Sequence, residues 1–337
     1  MKLDVIVPTY NRRELLQKTL RSLLDAEVPA GLEARVYVVD NNSKDDTREV
    51  VERWREKFGG RLRYVFEARQ GRSHALNAGI AASDGELVGM IDDDEELDAG
   101  WFKCVYEVFA AREVDYVGGR CLPRWEVEPP PAWLPADYRG VIGWVDGGPQ
   151  ERVFERGQTA MLTGGNAVIR RSLLERVGGY STALGRTDKG LLTGEDEDLY
   201  QRLLDAGARG LYVPSLVIHH FVPAERITKR YYRRWCLWRG FSLGVLDRTL
   251  PQNVSYLWGV PRYLYGRAAR AALRRTKALL IRNRSAAENF NDELAVWDLV
   301  GYFYGKHFYK PAPARRTEAG TTNETGLRRG RSVKTNG

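Results

Sequence analysis

Four short strand-like runs, Val5–Val7, Val36–Val39, Leu62–Phe66 and Leu87–Ile91, alternate with stretches of helical periodicity. Between the first two, Leu15, Leu16, Leu20, Leu23 and Leu24 share one helical face. Between the second and third, Val50, Val51, Trp54 and Phe58 recur at helical spacing, and Ser43, Asp45 and Asp46 offer N-caps. Ser73–Ala82 supplies a third helix before the fourth strand. This alternation predicts an α/β fold, with a mainly parallel sheet covered by helices. Right-handed crossovers would gather the loops that follow the strands on one edge, where open α/β sheets bind ligands.

Past the strand-like Tyr116–Gly119 the pattern breaks. Pro123–Gln158, with three prolines at 129–131, reads as an irregular excursion or lid. Regular structure resumes at Met161–Ile169, with helices near Ser172–Val177 and Asp198–Ala206 and a strand over Leu211–Ile218. Charge divides the chain further. Residues 226–337 hold 23 Lys and Arg against 7 Asp and Glu, and residues 1–225 hold 29 against 37. We therefore expect an acidic body over 1–225, a basic helical extension over 226–310 and a disordered tail over 311–337. In the extension, Ile227, Tyr231, Trp235, Trp238 and Val245 recur at helical spacing among Arg226, Lys229, Arg230, Arg233, Arg234 and Arg239. Two readings stand: a stripe packed on the body, or a surface across 226–284 that meets an anionic membrane.

Several classes are excluded. The first loop, Pro8-Thr9-Tyr10-Asn11-Arg12, lacks the glycines of a dinucleotide-binding turn or a P-loop. No uncharged apolar run approaches the ~18 residues that cross a bilayer. Cys104, Cys121 and Cys236 are too few and too scattered for a disulfide framework or zinc cage. With no signal-peptide layout at Met1–Pro8, the expected location is cytoplasmic, with peripheral attachment at the inner face of the cell membrane as an option. Nucleic acid is not an expected partner, because no recognition motif accompanies the basic charge.

Three aspartates, Asp92-Asp93-Asp94, close the fourth strand. Adjacent anions repel, and taken alone the triplet reads either as a solvated acidic turn or as an oxygen-rich site that suits Mg²⁺ or Mn²⁺ bound to a phosphate. Asp40 ends the second strand beside Asn41, placed to accept hydrogen bonds from a base or ribose, or to cap a helix. A second acidic cluster, Glu195-Asp196-Glu197-Asp198, precedes an amphipathic helix, where the macrodipole favours anions but does not account for all four. Leu184–Gly190 reads as a loop over the site, and His219-His220 follow a strand.

Together these residues resemble the family 2 glycosyltransferases with their GT-A fold, a Rossmann-like nucleotide half joined to an acceptor half. The resemblance runs over residues 3–223, through Val5–Asn11, Val38–Ser43 with Asp46-Thr47, Gly71–Ser73, Asn77–Ile80, Ile91–Glu95, Gly164–Asn166, Gly178–Tyr180 and Gly194–Asp196. It implies an inverting transfer from a nucleoside-diphosphate sugar to a hydroxyl of a glycan or lipid-linked glycan. Pro8, Thr9, Tyr10, Asp40 and Asn41 would meet the nucleotide, Asp92 the ribose, and Asp93 is the ambiguous middle position. Asp94 and His220, rather than His219, would hold the metal, and Asp196 would be the general base. Gly164, Gly165, Asn166 and Glu195 would border the acceptor and donor sugar. Arg72 and Asn77 would touch donor phosphate or ribose, with surface and helix-capping roles as the alternative. Rival readings are a sugar-nucleotide nucleotidyltransferase and a catalytically degenerate binder.

Overall fold

In the computed structural model, residues 1–156, 162–182, 194–248, 251, 253–281 and 284–309 are described. Met161, the Leu184–Gly190 loop and the 311–337 tail lie outside the described residues. The N-terminal half runs β1 (Lys2–Thr9), α1 (Arg13–Asp25), β2 (Glu33–Asp40), α2 (Thr47–Lys57), β3 (Leu62–Phe66), α3 (Arg72–Ala82) and β4 (Leu87–Met90). Then come β5 (Glu95–Leu97), α4 (Trp101–Ala111), β6 (Tyr116–Trp125), β7 (Arg152–Val153), β8 (Ala167–Arg170), α5 (Arg171–Val177), α6 (Glu195–Asp205) and β9 (Gly210–Val222). The sheet order is β3-β2-β1-β4-β8-β6-β9-β5, with β7 also on β9. Strands β3, β2, β1 and β4 are parallel, and so are β6 and β9. Strand β8 enters antiparallel between β4 and β6 and joins the two parallel halves.

Side chains along each inner strand point alternately to two cores. Val5, Val7, Val36 and Val38 face α1, α2 and α4, through Leu16, Leu20, Val50, Trp54 and Trp101. Ile6, Tyr37, Val39 and Met90 face α3, α5 and α6, through Leu76, Leu174, Leu199 and Leu203. Burial on both faces is why these strands read as nearly continuous apolar runs. Two strands extend beyond their expected ends. β6 continues through Pro123 to Trp125, and β9 continues to Val222, so His219 and His220 lie within a strand and pair with Glu96 and Glu95 of β5. A register shift after Gly119 permits this, since a Cβ there would overlap the Leu216 carbonyl.

Asn166 sits at the centre of this joint. Fully buried, it accepts from Trp101 Nε1 at 2.9 Å and donates to the carbonyls of Arg120 and Leu216, each at 2.9 Å. It ties α4, β6 and β9 together just before β8.

The C-terminal part adds α7 (Lys229–Leu246), the hairpin strands β10 (Tyr256–Leu257) and β11 (Val260–Pro261), α8 (Arg262–Ile281) and α9 (Ala286–His307). Helices α7 and α9 run side by side in close contact. A Cβ on Gly240 or Gly244 would strike the Asp298 or Tyr302 carbonyl, and one on Gly301 or Gly305 would strike those of Leu237 or Phe241. Of the two readings of the aromatic stripe, packing accounts for Ile227, Tyr231 and Trp235, which join a core with Tyr138, Ile142 and Phe290. Arg233 and Arg239 of the stripe, with four arginines of the following segment, are also neutralised within this layer. Asp298 pairs with Arg239 and Arg267, Asp292 with Arg274 and Arg284, and Glu293 with Arg233 and Arg275.

The prediction here concerns Asn166→Leu. It leaves two carbonyls and an indole N–H buried without partners, and each orphaned group costs about 1–3 kcal/mol. Urea unfolding should show a loss of roughly 3 kcal/mol or more. A midpoint equal to that of the parent would refute the staple.

Candidate active site

The loops after β1 and β2 are stapled to one another. Asn11 and Asn42 adopt positive φ angles (52° and 65°), a region that asparagine tolerates better than most residues. Asn11 Oδ1 accepts from the Lys44 amide at 2.6 Å, and the Asn11 amide donates to Ser43 Oγ at 3.0 Å. Asp40 is buried behind this joint. It accepts from the Ser43 amide at 2.8 Å and from the Tyr64 hydroxyl at 2.7 Å. Burial and the bond to Asp40 together keep that phenol protonated well above its usual range. The Asn41 side chain donates to the carbonyls of Glu67 and Arg69 and accepts from the Gly71 amide. Pro8, Thr9, Tyr10 and Asn41 line a cleft at this edge of the sheet, and Asp40 stands behind them.

The three aspartates face three ways. Asp92 points outward, 2.9–3.0 Å from the Arg72 guanidinium. Asp93 turns inward, accepting from Thr9 Oγ1 at 2.8 Å and from Arg12 at 3.0 Å, while its carbonyl accepts from Thr19 Oγ1. Burial and the adjacent Asp94 charge push its carboxyl up, against the pull of Arg12. Asp94 is also buried, yet its carboxyl is held well below the usual range. Burial opposes ionisation there, but His220 (3.6 Å), Arg12 (3.1 Å) and Arg226 (3.7 Å) outweigh it. Glu95 accepts from the Asp92 amide at 2.8 Å and closes the turn. Desolvation beside Asp92 and Asp94 drives its carboxyl far up, toward the neutral acid.

Opposite them, Glu195 begins α6, so Glu195, Asp196, Glu197 and Asp198 all fall in its first turn, where the helix dipole favours them. Arg72 bridges the two clusters. Its guanidinium lies 3.0 Å from Asp196 and 3.4 Å from Glu195 as well as on Asp92. Burial disfavours the cation, but these three anions hold it firmly protonated. The Glu195 side chain is 7% exposed and that of Asp196 33%, so of these two Asp196 is the one that a ligand can reach. Gly164 and Gly165 lie beneath them. A Cβ on the first would overlap the Asp196 carboxylate, and on the second that of Glu95.

Two of the sequence-predicted residues are elsewhere. Asn77 spends its amide on the backbone of Tyr180, accepting from N and donating to O, both at 2.8 Å. Asn166 is the buried staple already described. The short polar side chains that suit a sugar-binding loop serve equally well to pin one chain segment to another.

The far wall was not read from the sequence. It comprises Asp137, Arg139, Trp144 and Asp146 from the proline-rich excursion, together with Arg226, Trp235 and Arg239 from the start of the C-terminal layer. The Arg139 guanidinium stacks 4.2 Å from the Trp144 ring. Gly143, at φ 72°, brings the excursion down on the imidazole of His220, whose buried Nδ1 has no hydrogen-bond partner among the described residues. The open cleft has a volume of about 970 Å³, sufficient for a nucleotide sugar. Asp94 Oδ2 and His220 Nε2 offer one oxygen and one nitrogen donor on the same side of it. No group of three His, Cys, Asp or Glu side chains converges as a metal cage among the described residues. Such a pair fits an ion that takes its remaining ligands from water and substrate phosphates, as Mg²⁺ commonly does.

Comparison with known proteins agrees with this geometry. Glycosyl transferase family 2 matches residues 4–178, just over half the chain. The glucosyl-dolichyl phosphate glucuronosyltransferase of Haloferax volcanii is 27% identical over 259 residues, 75% of this chain and 79% of that protein. The succinoglycan biosynthesis protein ExoM of Rhizobium meliloti is 27% identical over 240 residues, 69% and 72% of the two chains. In fold, the chain resembles the mannosyltransferase PcManGT of Pyrobaculum calidifontis, solved with GDP-Man and Mn²⁺. The TM-score is 0.59 at 22% identity, over 90% of this chain and 86% of that one. The parallel half-sheet, its acidic edge and the matched segment make this chain a glycosyltransferase of family 2 with the GT-A fold.

Proposed function

We propose that the enzyme is an inverting transferase that moves a sugar from a nucleoside diphosphate to a hydroxyl of a glycan or lipid-linked glycan by direct displacement. The observation that carries this reading is the meeting of the β4 aspartates and the α6 acidic turn in one cleft, joined by Arg72. Support for the acceptor class comes from the Haloferax relative, whose name specifies a glucosyl-dolichyl phosphate.

The nucleotide lies along Pro8, Thr9, Tyr10 and Asn41, with Asp92 toward the ribose. Asp94 and His220 are the residues that would hold Mg²⁺ or Mn²⁺, and such an ion would neutralise charge on the departing diphosphate. Arg226, 3.4 Å from His220 and 3.7 Å from Asp94, adds a fixed cation at the same place. Asp196 takes the proton of the attacking hydroxyl. It is open to the cleft and stands in the first turn of α6, positioned for that role. Arg72 aims that carboxylate while holding Asp92. Gly164 lets the base sit against the backbone, so that no side chain separates it from an acceptor.

Two outcomes test the assignment. Asp196→Asn should keep donor affinity within about threefold and lower turnover by roughly 10²–10⁴-fold, or about 3–5 kcal/mol in the barrier. Nucleoside-diphosphate release from a donor panel would measure this, and full turnover would reject the base. Asp94→Ala should abolish the part of donor binding that depends on Mn²⁺. Calorimetry showing the same Mn²⁺-dependent affinity in the variant and parent would remove Asp94 from the metal site.

A further inference from the structure

The hairpin between α7 and α8 ends in a feature that the fold does not need. Trp258 and Gly259 form a two-residue turn, both at positive φ (48° and 70°). Hairpins favour this turn type, but its first position ordinarily takes Asn, Asp or Gly, because a bulky side chain is strained there. Trp258 is nevertheless 77% exposed, the most exposed large apolar side chain among the described residues. The hairpin is held in place, since the Trp258 carbonyl accepts from His307 Nε2 at 2.9 Å.

That histidine ends a second apolar feature. Along α9, Val296, Val300, Phe303 and Tyr304 are exposed at helical spacing, followed by Phe308. The rings contact one another: Phe303 lies 4.7 Å from His307 and 6.1 Å from Phe308, and Tyr304 stacks 5.7 Å from Phe308 while its other neighbour is the buried Phe241, at 6.0 Å. Cations frame the patch. Arg248 donates to the Tyr309 carbonyl, Arg262 follows the hairpin directly, and neither has an acidic partner among the described residues. No acidic residue occurs from Arg248 to Ala287, and the chain beyond Tyr309 carries seven Lys and Arg against two Glu.

We propose that the Trp258 hairpin and the aromatic end of α9 form a docking surface for an anionic lipid bilayer. Tryptophan and tyrosine favour the headgroup region, where an indole has both an apolar ring and a polar N–H to place. Cations at the rim add attraction to anionic lipid. The same charge argues against a second copy of this chain as the occupant, because pairing the patch with itself would oppose arginine to arginine. The surface is part of the helical layer whose α7 provides Trp235 and Arg239 to the cleft. Docking would therefore hold the cleft near lipid-borne acceptors. That consequence rests on the transferase reading; the docking itself does not.

The test is cosedimentation of the full chain with vesicles of phosphatidylcholine containing phosphatidylglycerol, without donor or acceptor. The parent should bind at low salt, bind less as salt rises, and bind weakly to phosphatidylcholine alone. Trp258→Ser with Phe308→Ser should lower the apparent affinity at least tenfold, while Trp258→Phe should retain most of it. An unchanged melting temperature would establish that the double variant is folded. Should that variant fail to fold, Trp258→Ser alone, at an exposed turn, gives the same comparison. Absence of parent binding, or equal binding by the serine variant, would overturn the inference. So would a dimer in sedimentation velocity that Trp258→Ser dissolves, since the patch would then belong to a second copy. Donor turnover in solution does not depend on which of these results is obtained, so the two proposals fail separately.

Discussion

The cleft depends on keeping carboxylates charged and close without letting them repel the sheet edge apart. Asp92, Asp93, Asp94, Glu95, Glu195 and Asp196 come from two chain segments about 100 residues apart. Each would rather be in water, and unpaired burial of even one ionised carboxylate costs several kcal/mol. Arginines from three other places resolve this. Arg12 precedes α1 and spans Asp93 and Asp94, Arg72 opens α3 and joins Asp92 to Asp196, and Arg226 follows β9 beside Asp94. Glu95 is resolved differently, since burial beside Asp92 and Asp94 pushes its carboxyl well above the usual range. The result is a graded site, in which Asp94 is buried but firmly anionic, Asp93 is structural and Asp196 is open to ligand.

Much of the fold was legible because β1, β2 and β4 are buried on both faces. Their apolar runs leave little choice but a covered parallel sheet, and polar loops must then collect at one edge. The aspartate triplet was legible for the same reason, since carboxylates closing a buried strand need a cation. Its division of labour was not. Pleat alternation would send neighbouring side chains to opposite faces, but the chain turns sharply after Ile91, and only the tertiary partners Thr9, Thr19 and Arg12 show that Asp93 points in.

Asn77 and Asn166 illustrate why short polar residues are hard to read. An amide that accepts from an N–H and donates to a carbonyl is equally suited to a sugar and to a peptide, and both residues took the peptide. Burial decides between these uses, and burial belongs to the assembled fold. The far wall escaped for a related reason. Arg139, Trp144, Trp235 and Arg239 carry no motif, and they converge only when the irregular excursion and α7 close on the sheet.

That convergence changes how the chain divides. By charge and composition, residue 226 separates an acidic body from a basic extension, yet the extension completes the site. Arg226 sits on Asp94, and Arg239 reaches the cleft while its charge is partly satisfied by Asp298. Gly240, Gly244, Gly301 and Gly305 let the backbones of α7 and α9 approach one another closely. The recognisable motifs lie on the sheet edge. The far wall instead takes its place from helix packing, and helix packing leaves no short motif in a sequence.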